Sequence, residues 1–290
     1  MPLISSFDPW RSGLCTCPAK LTFNPYTGCD HNCLYCYASS YVSNFKACHP
    51  KKDLIAVLRR EAAKLRGETV SISNSSDPYP RIEASECLTR RCLEVLAGCD
   101  CKIQIITKSN LVTRDDDLLN RVPATVALTI TTDNDFLASV IEPNAPPPSQ
   151  RIRAAQELIK AGVPVLVRID PIIPRVNDQP QKLIKTLADI GVKHVTCSTY
   201  KAKPDNWKRL SQALPKVMEQ LKPLYFQEGE KVGGSALLPE DYRFRILKSV
   251  RDAALMQGLA FGVCREGLQR LNTAPCDGSW LMPKRSGGLN

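Results

Sequence analysis

The sequence lacks the features that mark membrane and secreted proteins. No stretch of about 18 uncharged apolar residues occurs, so no membrane-spanning helix is predicted. Residues 1–20 have neither the charged start nor the apolar run of a signal peptide. Repeats and low-complexity segments are also missing. We therefore expect a globular cytoplasmic protein without a membrane partner.

The cysteine content argues against a complete disulfide framework. The chain has 13 Cys among 290 residues, an odd number and a high one for a compartment in which disulfides are rare. Metal ligation or reactive thiols explain such a content better. The formal net charge of +10 favours a polyanionic partner such as a nucleic acid, because basic surfaces attract phosphates. No recognised nucleic-acid-binding module accompanies this charge.

Short β-branched segments alternate with amphipathic helical patterns, as in parallel sheets with crossover helices. The predicted strands are Leu21 to Asn24, Thr69 to Ser73, Lys102 to Thr107, Thr125 to Thr131, Val163 to Ile169 and His194 to Ser198. The predicted helices are Asp53 to Arg66, Ser149 to Ala161, about Asp205 to Leu221 and Pro239 to Gln257. The fold class is therefore α/β. We expect residues 15–225 to form the core domain and residues 226–290 a C-terminal helical extension packed on it.

A cysteine-rich loop follows the first predicted strand. Cys29, Cys33 and Cys36 are spaced four and then three residues apart. Structural zinc sites usually close with four ligands, often in paired CxxC knuckles, and no fourth cysteine lies nearby. Three clustered thiolates favour an iron–sulfur cluster with one open iron, and a zinc-binding loop without a catalytic role is the alternative. We expect Gly28 to let the backbone approach the cluster and Tyr35 to shield one side of it.

The wider pattern resembles a known family. A CxxxCxxC motif with an aromatic residue before its last cysteine is the signature of the radical S-adenosylmethionine (SAM) superfamily. Residues 15–200 resemble its spore photoproduct lyase-like branch, also labelled DNA repair photolyase-like, through the segments NPYTGCDHNCLYCYA, SNSSDPYP, ITKSNLVTRDDDLL and EPNAPPPSQR. The resemblance implies a partial (β/α)6 TIM-like barrel with the cluster loop at its mouth, and a closed eight-stranded barrel is the alternative.

The same resemblance implies the cofactors and the chemistry. In that superfamily the three cysteines bind three irons of a [4Fe-4S] cluster, and the amino and carboxylate groups of SAM chelate the fourth. An electron from the reduced cluster cleaves SAM to methionine and a 5′-deoxyadenosyl radical, which abstracts a hydrogen atom from the substrate. A reductant protein such as ferredoxin or flavodoxin is the implied partner.

Polar residues at the ends of the predicted strands are candidate SAM ligands, because ligands of α/β barrels collect there. Asn74, Ser75 and Asp77 stand where other radical SAM enzymes often carry a Gly-Gly-Glu that binds the SAM amino group. Lys108 matches the family position that is expected to contact the SAM carboxylate, an interaction between opposite charges.

Two further strands carry candidates. Thr129 and Thr131 are expected on the strand that, by resemblance, lines the ribose side of the cofactor. Arg168 and Asp170 place charges inside an otherwise apolar strand, which favours a functional role over a simple salt bridge. Glu142 precedes the proline-rich loop, where it either binds substrate or fixes the loop by hydrogen bonding.

The chain departs from spore photoproduct lyase at one position. That enzyme returns a hydrogen atom to the repaired thymine from a cysteine near the second strand, where this chain reads Ser73 to Ser76. The resemblance therefore does not imply repair of spore photoproduct. Cys197 is a candidate substitute donor, and a small buried core residue is the alternative.

Four other cysteines form a separate hypothesis. Cys15 and Cys17 precede the first strand, and Cys264 and Cys276 lie near the C-terminus. If the tail folds back across the barrel, the four thiolates would form an auxiliary iron–sulfur cluster or a zinc site. Free thiols are the alternative.

Three functions compete at this point. The first is radical chemistry on a nucleic acid, and the second is the same chemistry on a protein side chain or a metabolite. The third is a non-catalytic iron–sulfur protein in electron transfer or redox sensing, which would bind a cluster without cleaving SAM.

Overall fold

The computed structural model describes residues 2–7 and 13–283 of the chain. The strands are β1 (Ser5–Ser6), β2 (Leu21–Phe23), β3 (Tyr26–Thr27), β4 (His49–Pro50), β5 (Glu68–Ile72), β6 (Cys101–Thr107), β7 (Ala124–Thr129), β8 (Val165–Ile172), β9 (His194–Thr199), β10 (Glu230–Val232), β11 (Ser235–Leu237) and β12 (Ala260–Val263). The α-helices are α1 (Leu54–Ala62), α2 (Glu83–Glu86), α3 (Leu88–Ala97), α4 (Asp116–Leu119), α5 (Asp135–Ile141), α6 (Pro148–Lys160), α7 (Gln181–Asp189), α8 (Pro204–Ala213), α9 (Pro215–Phe226) and α10 (Glu240–Met256).

Eight strands form one sheet in the order β1-β2-β5-β6-β7-β8-β9-β12. From β2 to β12 every neighbouring pair is parallel, whereas the short β1 lies antiparallel to β2. Within the described residues no pairing joins the two ends of this sheet. The predicted α/β fold, a partial barrel of TIM type, is thereby confirmed, and each predicted strand is present with its ends within three residues.

The alternation of side chains along each strand separates an apolar outer layer from a polar interior. On β9, Val195 and Cys197 are fully buried in the main hydrophobic core, which also contains Leu183 of α7 and Leu247 of α10. The intervening even-numbered residues of β9 face the other side of the sheet, because successive side chains alternate in direction. The interior of the barrel is therefore available for polar contacts and ligands.

Two of the differences from the prediction lie in the C-terminal part of the chain. β12, within the segment expected to be a helical extension, joins the main sheet beside β9. The single helix predicted from Asp205 to Leu221 is two helices, α8 and α9, separated at Leu214. Pro215 explains this break, because a proline has no N–H to donate to the preceding turn and keeps the residue before it out of the helical region.

The C-terminal segment packs across one end of the barrel interior through polar contacts. Lys20 Nζ donates to Gln104 Oε1 at 2.9 Å and pairs with Asp277 Oδ2 at 2.8 Å, and Gln104 Nε2 donates to the Asp277 carbonyl at 2.7 Å. Thr196 Oγ1 donates to the Cys276 carbonyl at 2.6 Å. These bonds form a polar floor beneath the strand ends. None of the helices in residues 2–7 and 13–283 has the length and apolar content needed to span a bilayer.

Candidate active site

A cavity of about 1020 Å³ lies at the carboxyl ends of the parallel strands. Its wall is contributed by the loop after β2, by the segments that follow β5, β6 and β9, by β7 and β8, and by the turn after β12. This is the end of the sheet at which α/β barrels bind ligands. The cavity is large enough for a cofactor and part of a substrate together.

The three cysteines of the predicted cluster motif all line this cavity. Cys29, Cys33 and Cys36 are partly exposed, and none forms a disulfide. The Cys29 N–H donates to the Phe45 carbonyl at 2.7 Å, which holds the start of the loop. Gly28 has φ of +78°, and a Cβ there would lie 2.6 Å from that same carbonyl oxygen. Glycine is thus required at position 28 because the loop packs against residues 45–47. This contact explains Gly28 more directly than the expected approach of the backbone to a cluster.

The other side of the loop is held by α8. Arg209 Nε donates to the Leu34 carbonyl at 3.0 Å, and its Nη2 donates to the Cys36 carbonyl at 2.9 Å. Asn206 Nδ2 donates to the Tyr35 carbonyl at 3.2 Å. These contacts were not predicted, because the partners are about 170 residues apart in the sequence and no local pattern indicates them.

Tyr35 is fixed by a buried charged pair. Its hydroxyl donates to Glu142 Oε1, and Glu142 Oε2 lies 2.5 Å from Arg151 Nη2, with both charged side chains fully buried. Burial acts to raise the pKa of Glu142, but the Arg151 guanidinium and the Lys108 ammonium hold it below its ordinary value. Glu142 therefore holds Tyr35 of the cluster loop, and it does not line the cavity.

Lys108 projects into the cavity from the end of β6. Its ammonium lies 5.5 Å from the centre of the Tyr35 ring, a cation–π arrangement. The Lys108 backbone N–H donates to Asp77 Oδ2 at 2.8 Å, and Thr107 Oγ1 donates to Asp77 Oδ1 at 2.6 Å. Asp77 lines the cavity, but its oxygens are already used to position the segment that carries Lys108.

Besides Asp77, the segment after β5 brings four polar side chains to the cavity: Ser73, Asn74, Ser75 and Ser76. Asn74 Nδ2 donates to Thr22 Oγ1 at 2.6 Å, so part of its hydrogen-bonding capacity is used within the barrel. Ser73 Oγ is buried and has no hydrogen-bond partner within the described residues. An unpartnered buried hydroxyl that borders a cavity is a candidate contact for a bound ligand.

Of the candidates on β7, just after it and on β8, some line the cavity and one lies in the protein interior. Thr129 and Arg168 line the cavity, as does Asp170, which pairs with Arg168. Burial acts to raise the pKa of Asp170, but the Arg168 guanidinium keeps it below its usual range. Thr131 is fully buried beyond the end of β7 and donates to Glu142 at 3.0 Å. It does not line the cavity.

Cys197 is fully buried among apolar residues and is not part of the cavity lining. Its neighbour Ser198 faces the cavity instead and donates to Asp170 Oδ1 at 2.5 Å. This orientation favours a packing role for Cys197 over the role of a hydrogen-atom donor to the substrate.

The remaining four candidate cysteines approach one another. Cys17 Sγ lies 3.7 Å from Cys276 Sγ, and the Cys15 thiol is close enough to Cys17 to interact with it. Cys264, directly after β12, lines the cavity together with Cys17. The tail thus folds back on the segment before β2, as the sequence hypothesis requires.

The donor set at the cavity mouth fits an iron–sulfur cluster better than a single metal ion. Within residues 2–7 and 13–283, no three His, Cys, Asp or Glu side chains are arranged to hold one ion. A [4Fe-4S] cluster does not need that arrangement, because each of three cysteines binds a different iron. The open cavity beside the loop leaves space for a ligand of the remaining iron.

Comparison with known proteins agrees with this geometry. The family model of the radical SAM superfamily matches residues 23–207. The chain belongs to the radical SAM superfamily. An uncharacterized protein of Mycobacterium tuberculosis is 27% identical over 231 residues, covering 72% of this chain and 68% of that protein. An uncharacterized protein of Methanocaldococcus jannaschii is 33% identical over 167 residues, covering 55% and 63% respectively.

Solved structures show the same fold. A spore photoproduct lyase variant with bound AdoMet and dinucleoside spore photoproduct matches with a TM-score of 0.64 at 16% identity, over 90% of this chain and 78% of that one. SuiB of Streptococcus suis bound to S-adenosylmethionine matches with a TM-score of 0.55 at 16% identity, over 84% and 49%. The chain is therefore a radical SAM enzyme with a partial-barrel fold, and the superfamily implies a [4Fe-4S] cluster, SAM and a source of electrons.

Proposed function

We propose that Cys29, Cys33 and Cys36 hold the [4Fe-4S] cluster and that SAM binds in the adjoining cavity. The observation that supports this most is that the three cysteines and Lys108 line the same cavity. When bound, the cluster and SAM supply a 5′-deoxyadenosyl radical for hydrogen abstraction. The chain's own residues then orient SAM and exclude water from the cavity.

Several polar groups of the cavity have proposed roles toward SAM. The Lys108 ammonium binds the SAM carboxylate, since it is the cation held beside the cluster loop. Ser73 Oγ and Ser75 accept hydrogen bonds from the SAM amino group, with Asn74 and Asp77 shaping the segment that presents them. Thr129 lies at the ribose.

Arg168 and Asp170 are proposed to border the cofactor where it meets the substrate. Both line the cavity and are held by their mutual ion pair. Ser198, which also lines it, fixes the second oxygen of Asp170. This arrangement keeps the carboxylate ionised and limits its movement, so it can accept hydrogen bonds from hydroxyl groups of a ligand.

We propose a nucleic acid as the substrate class. The net charge is +10, and Lys203 lines the cavity with Tyr37 and Tyr41, whose ring centroids are 6.1 Å apart. Aromatic rings beside a cation form a surface on which bases stack and phosphates bind. Among the solved neighbours, one is bound to a dinucleoside lesion and another to a precursor peptide, so a peptide or metabolite is the competing substrate class.

The test of the assignment is SAM cleavage. The protein is reconstituted anaerobically with iron and sulfide, then incubated with SAM and either dithionite or reduced flavodoxin. We expect 5′-deoxyadenosine from the wild type and from Cys48→Ala, whose cysteine lies outside the cavity lining, but none from Cys33→Ala. A reconstituted cluster in the wild type without any SAM cleavage would instead identify an electron-transfer or redox-sensing protein.

The test of the substrate class is binding to tRNA and to single-stranded DNA at increasing salt. Contacts with phosphates predict a linear fall of log affinity with log salt concentration. Lys203→Gln should reduce the slope by about one, and Lys102→Gln, an exposed lysine at the start of β6, should not change it. Binding that is absent or insensitive to salt would favour a peptide or metabolite.

A further inference from the structure

Four cysteines from three separate segments meet at the floor of the cavity. Cys15 and Cys17 precede β2, Cys264 follows β12, and Cys276 belongs to the C-terminal segment. All four are free thiols. They are distinct from the three cysteines of the cluster loop, and the mechanism above uses none of them.

The distance between two of the sulfurs fits a tetrahedral metal centre. Cys17 Sγ and Cys276 Sγ are 3.7 Å apart. In a tetrahedral zinc site with Zn–S bonds of about 2.3 Å, two sulfurs are separated by about 3.8 Å. A disulfide would need a separation of about 2.0 Å. These two thiols therefore already occupy one edge of a tetrahedron.

The other two thiols lie beside this edge. The Cys15 thiol is close enough to Cys17 to interact with it. Cys264 is close enough to interact electrostatically with both Cys17 and Cys276. No three of these side chains yet converge on one point in the described residues, so Cys15 and Cys264 must rotate toward the Cys17–Cys276 edge to complete the site.

The charges around the four sulfurs suit an anionic centre. Four thiolates and one divalent cation carry a net charge of about −2. Lys20 interacts with Cys17, and Arg265 with Cys15. Arg168 interacts electrostatically with Cys264. Three cations from three segments thus interact with the group. Lys20 is also paired with Asp277 and Arg168 with Asp170, so the three together only partly reduce the cost of placing negative charge there.

The backbone that carries Cys264 and Cys276 is held by the sheet, whereas the backbone that carries Cys15 and Cys17 is irregular. A Cβ on Gly262 would lie 2.6 Å from Cys276 Cα, so β12 and the tail are in close contact. The Cys264 N–H donates to the Cys197 carbonyl at 2.8 Å. Residues 13–20, in contrast, have no regular secondary structure. A metal ion would attach this irregular segment to the rigid side of the site.

We propose that Cys15, Cys17, Cys264 and Cys276 form a second metal site, which binds one zinc ion through four thiolates and joins the segment before β2 to the C-terminal floor. The site is independent of the cluster proposed above, so each assignment can fail without the other.

The experiment uses a full-length variant, Cys29→Ala/Cys33→Ala/Cys36→Ala, which lacks the ligands of the cluster motif. It is expressed with zinc and analysed for metals by mass spectrometry. We expect about one zinc per chain. Replacement of zinc by cobalt(II) should produce the thiolate-to-cobalt charge-transfer band of a tetrahedral thiolate site.

Two further changes in this background test the ligands. Cys17→Ser/Cys276→Ser should remove the zinc, whereas the matched control Cys87→Ser/Cys99→Ser should retain it. Because the first pair is partly buried and its loss could prevent folding, Cys15→Ser is included as a milder change. It should lower zinc affinity at least tenfold in chelator competition while the far-ultraviolet circular dichroism is unchanged.

Three results would overturn the proposal. The first is zinc that remains bound in Cys17→Ser/Cys276→Ser. The second is about four irons with sulfide in the triple variant, which would mean an iron–sulfur cluster on these thiols. The third is a metal-free triple variant, with or without a Cys17–Cys276 disulfide in peptide mapping.

Discussion

At the scale of single residues, the cavity contains side chains that are already used in protein contacts and others that are not. Asp77 accepts hydrogen bonds from Thr107, Tyr79 and the Lys108 backbone. Within the described residues the Lys108 ammonium donates no hydrogen bond; it contacts the Tyr35 ring and interacts electrostatically with Cys33 and Glu142. Its N–H groups are therefore available to an anionic group of a ligand.

Lys108→Met should weaken SAM binding and leave the cluster intact. A hydrogen bond to a charged group contributes about 1.5–3 kcal/mol, so the SAM concentration for half-maximal 5′-deoxyadenosine formation should rise about tenfold to hundredfold. The measurement is product formation against SAM concentration, with iron content determined in parallel. Lys102→Met, an exposed lysine on the same strand, is the control. An unchanged SAM dependence in Lys108→Met would show that another cation binds the carboxylate.

Substitutions at the Glu142–Arg151 pair should have strong and non-additive effects on the free energy of unfolding. Arg151→Met leaves a fully buried carboxylate without its cation, which should lower the free energy of unfolding by about 3–5 kcal/mol. The double variant Glu142→Met/Arg151→Met removes both charges and should be less destabilised than the sum of the two single variants. Urea unfolding of the cluster-free proteins gives the four values. Additive losses would mean that the two charges do not depend on each other.

At the scale of elements, the cluster loop is held between residues 45–47 and the start of α8. Asp205 of α8 accepts hydrogen bonds from Ser39 at 2.8 Å, from Ser40, and from Arg209 at 2.9 Å. Arg209 in turn donates to the Leu34 and Cys36 carbonyls. Asp205 therefore orients the side chain that fixes the loop.

The contribution of Asp205 should depend on pH. Burial opposes ionisation, but the bonds from Ser40, Ser39 and Arg209 lower the pKa of Asp205 to about 2 from an ordinary 3.8. A lowered folded-state pKa stabilises the protein above the unfolded value, and the stabilisation is lost as the pH falls through the folded one. Asp205→Asn should therefore be less stable than the wild type above about pH 4, and the difference should shrink toward about pH 2.

Urea unfolding of cluster-free protein between about pH 5 and about pH 2 measures this difference. Asp189→Asn removes a carboxylate from an exposed pair with Lys185 and serves as the control, with little change at any pH. A difference between Asp205→Asn and the wild type that stays constant down to the lowest pH would contradict the assigned cause.

The elements also show how far the sequence could be interpreted. Strands β5 to β9 were predictable because their β-branched runs are long and bounded by clear turn residues. β12 was not predictable, because a run of only four residues does not indicate a strand unless the neighbouring strand that pairs with it is known. The break before Pro215 had a local signal, since proline is favoured at the first position of a helix.

The same distinction applies to the site. The cluster cysteines and Lys108 were recognisable from motif spacing, and all of them line the cavity. Thr131 was grouped with Thr129 by strand alternation, but β7 ends at Thr129 and the chain then turns Thr131 toward Glu142. Asn206 and Arg209 could not be identified from sequence, because their role exists only once α8 is placed against a loop about 170 residues away.

At the scale of the whole molecule, the two ends of the described chain meet inside the barrel. The side chains of Lys20 and Asp277 are 2% and 5% exposed. Gln104 on β6 accepts a hydrogen bond from the Lys20 ammonium and donates one to the Asp277 backbone carbonyl. A buried ion pair with satisfied hydrogen bonds contributes little net energy, but the loss of one partner is costly because the other charge stays buried. A single substitution in this polar floor should therefore lower the stability of the whole barrel.

Asp277→Ala should lower the free energy of unfolding by about 3–5 kcal/mol, because it leaves the Lys20 ammonium buried without its counter-charge. The control is Asp252→Ala, which breaks an exposed pair with Lys248 and should change stability by about 0.5 kcal/mol or less. Urea unfolding measured by circular dichroism gives both values. Adding Lys20→Met to Asp277→Ala should restore part of the loss, since it removes the unpaired charge. If the double variant is no more stable than Asp277→Ala, the lost free energy of unfolding comes from packing of the C-terminal segment and not from the unpaired Lys20 ammonium.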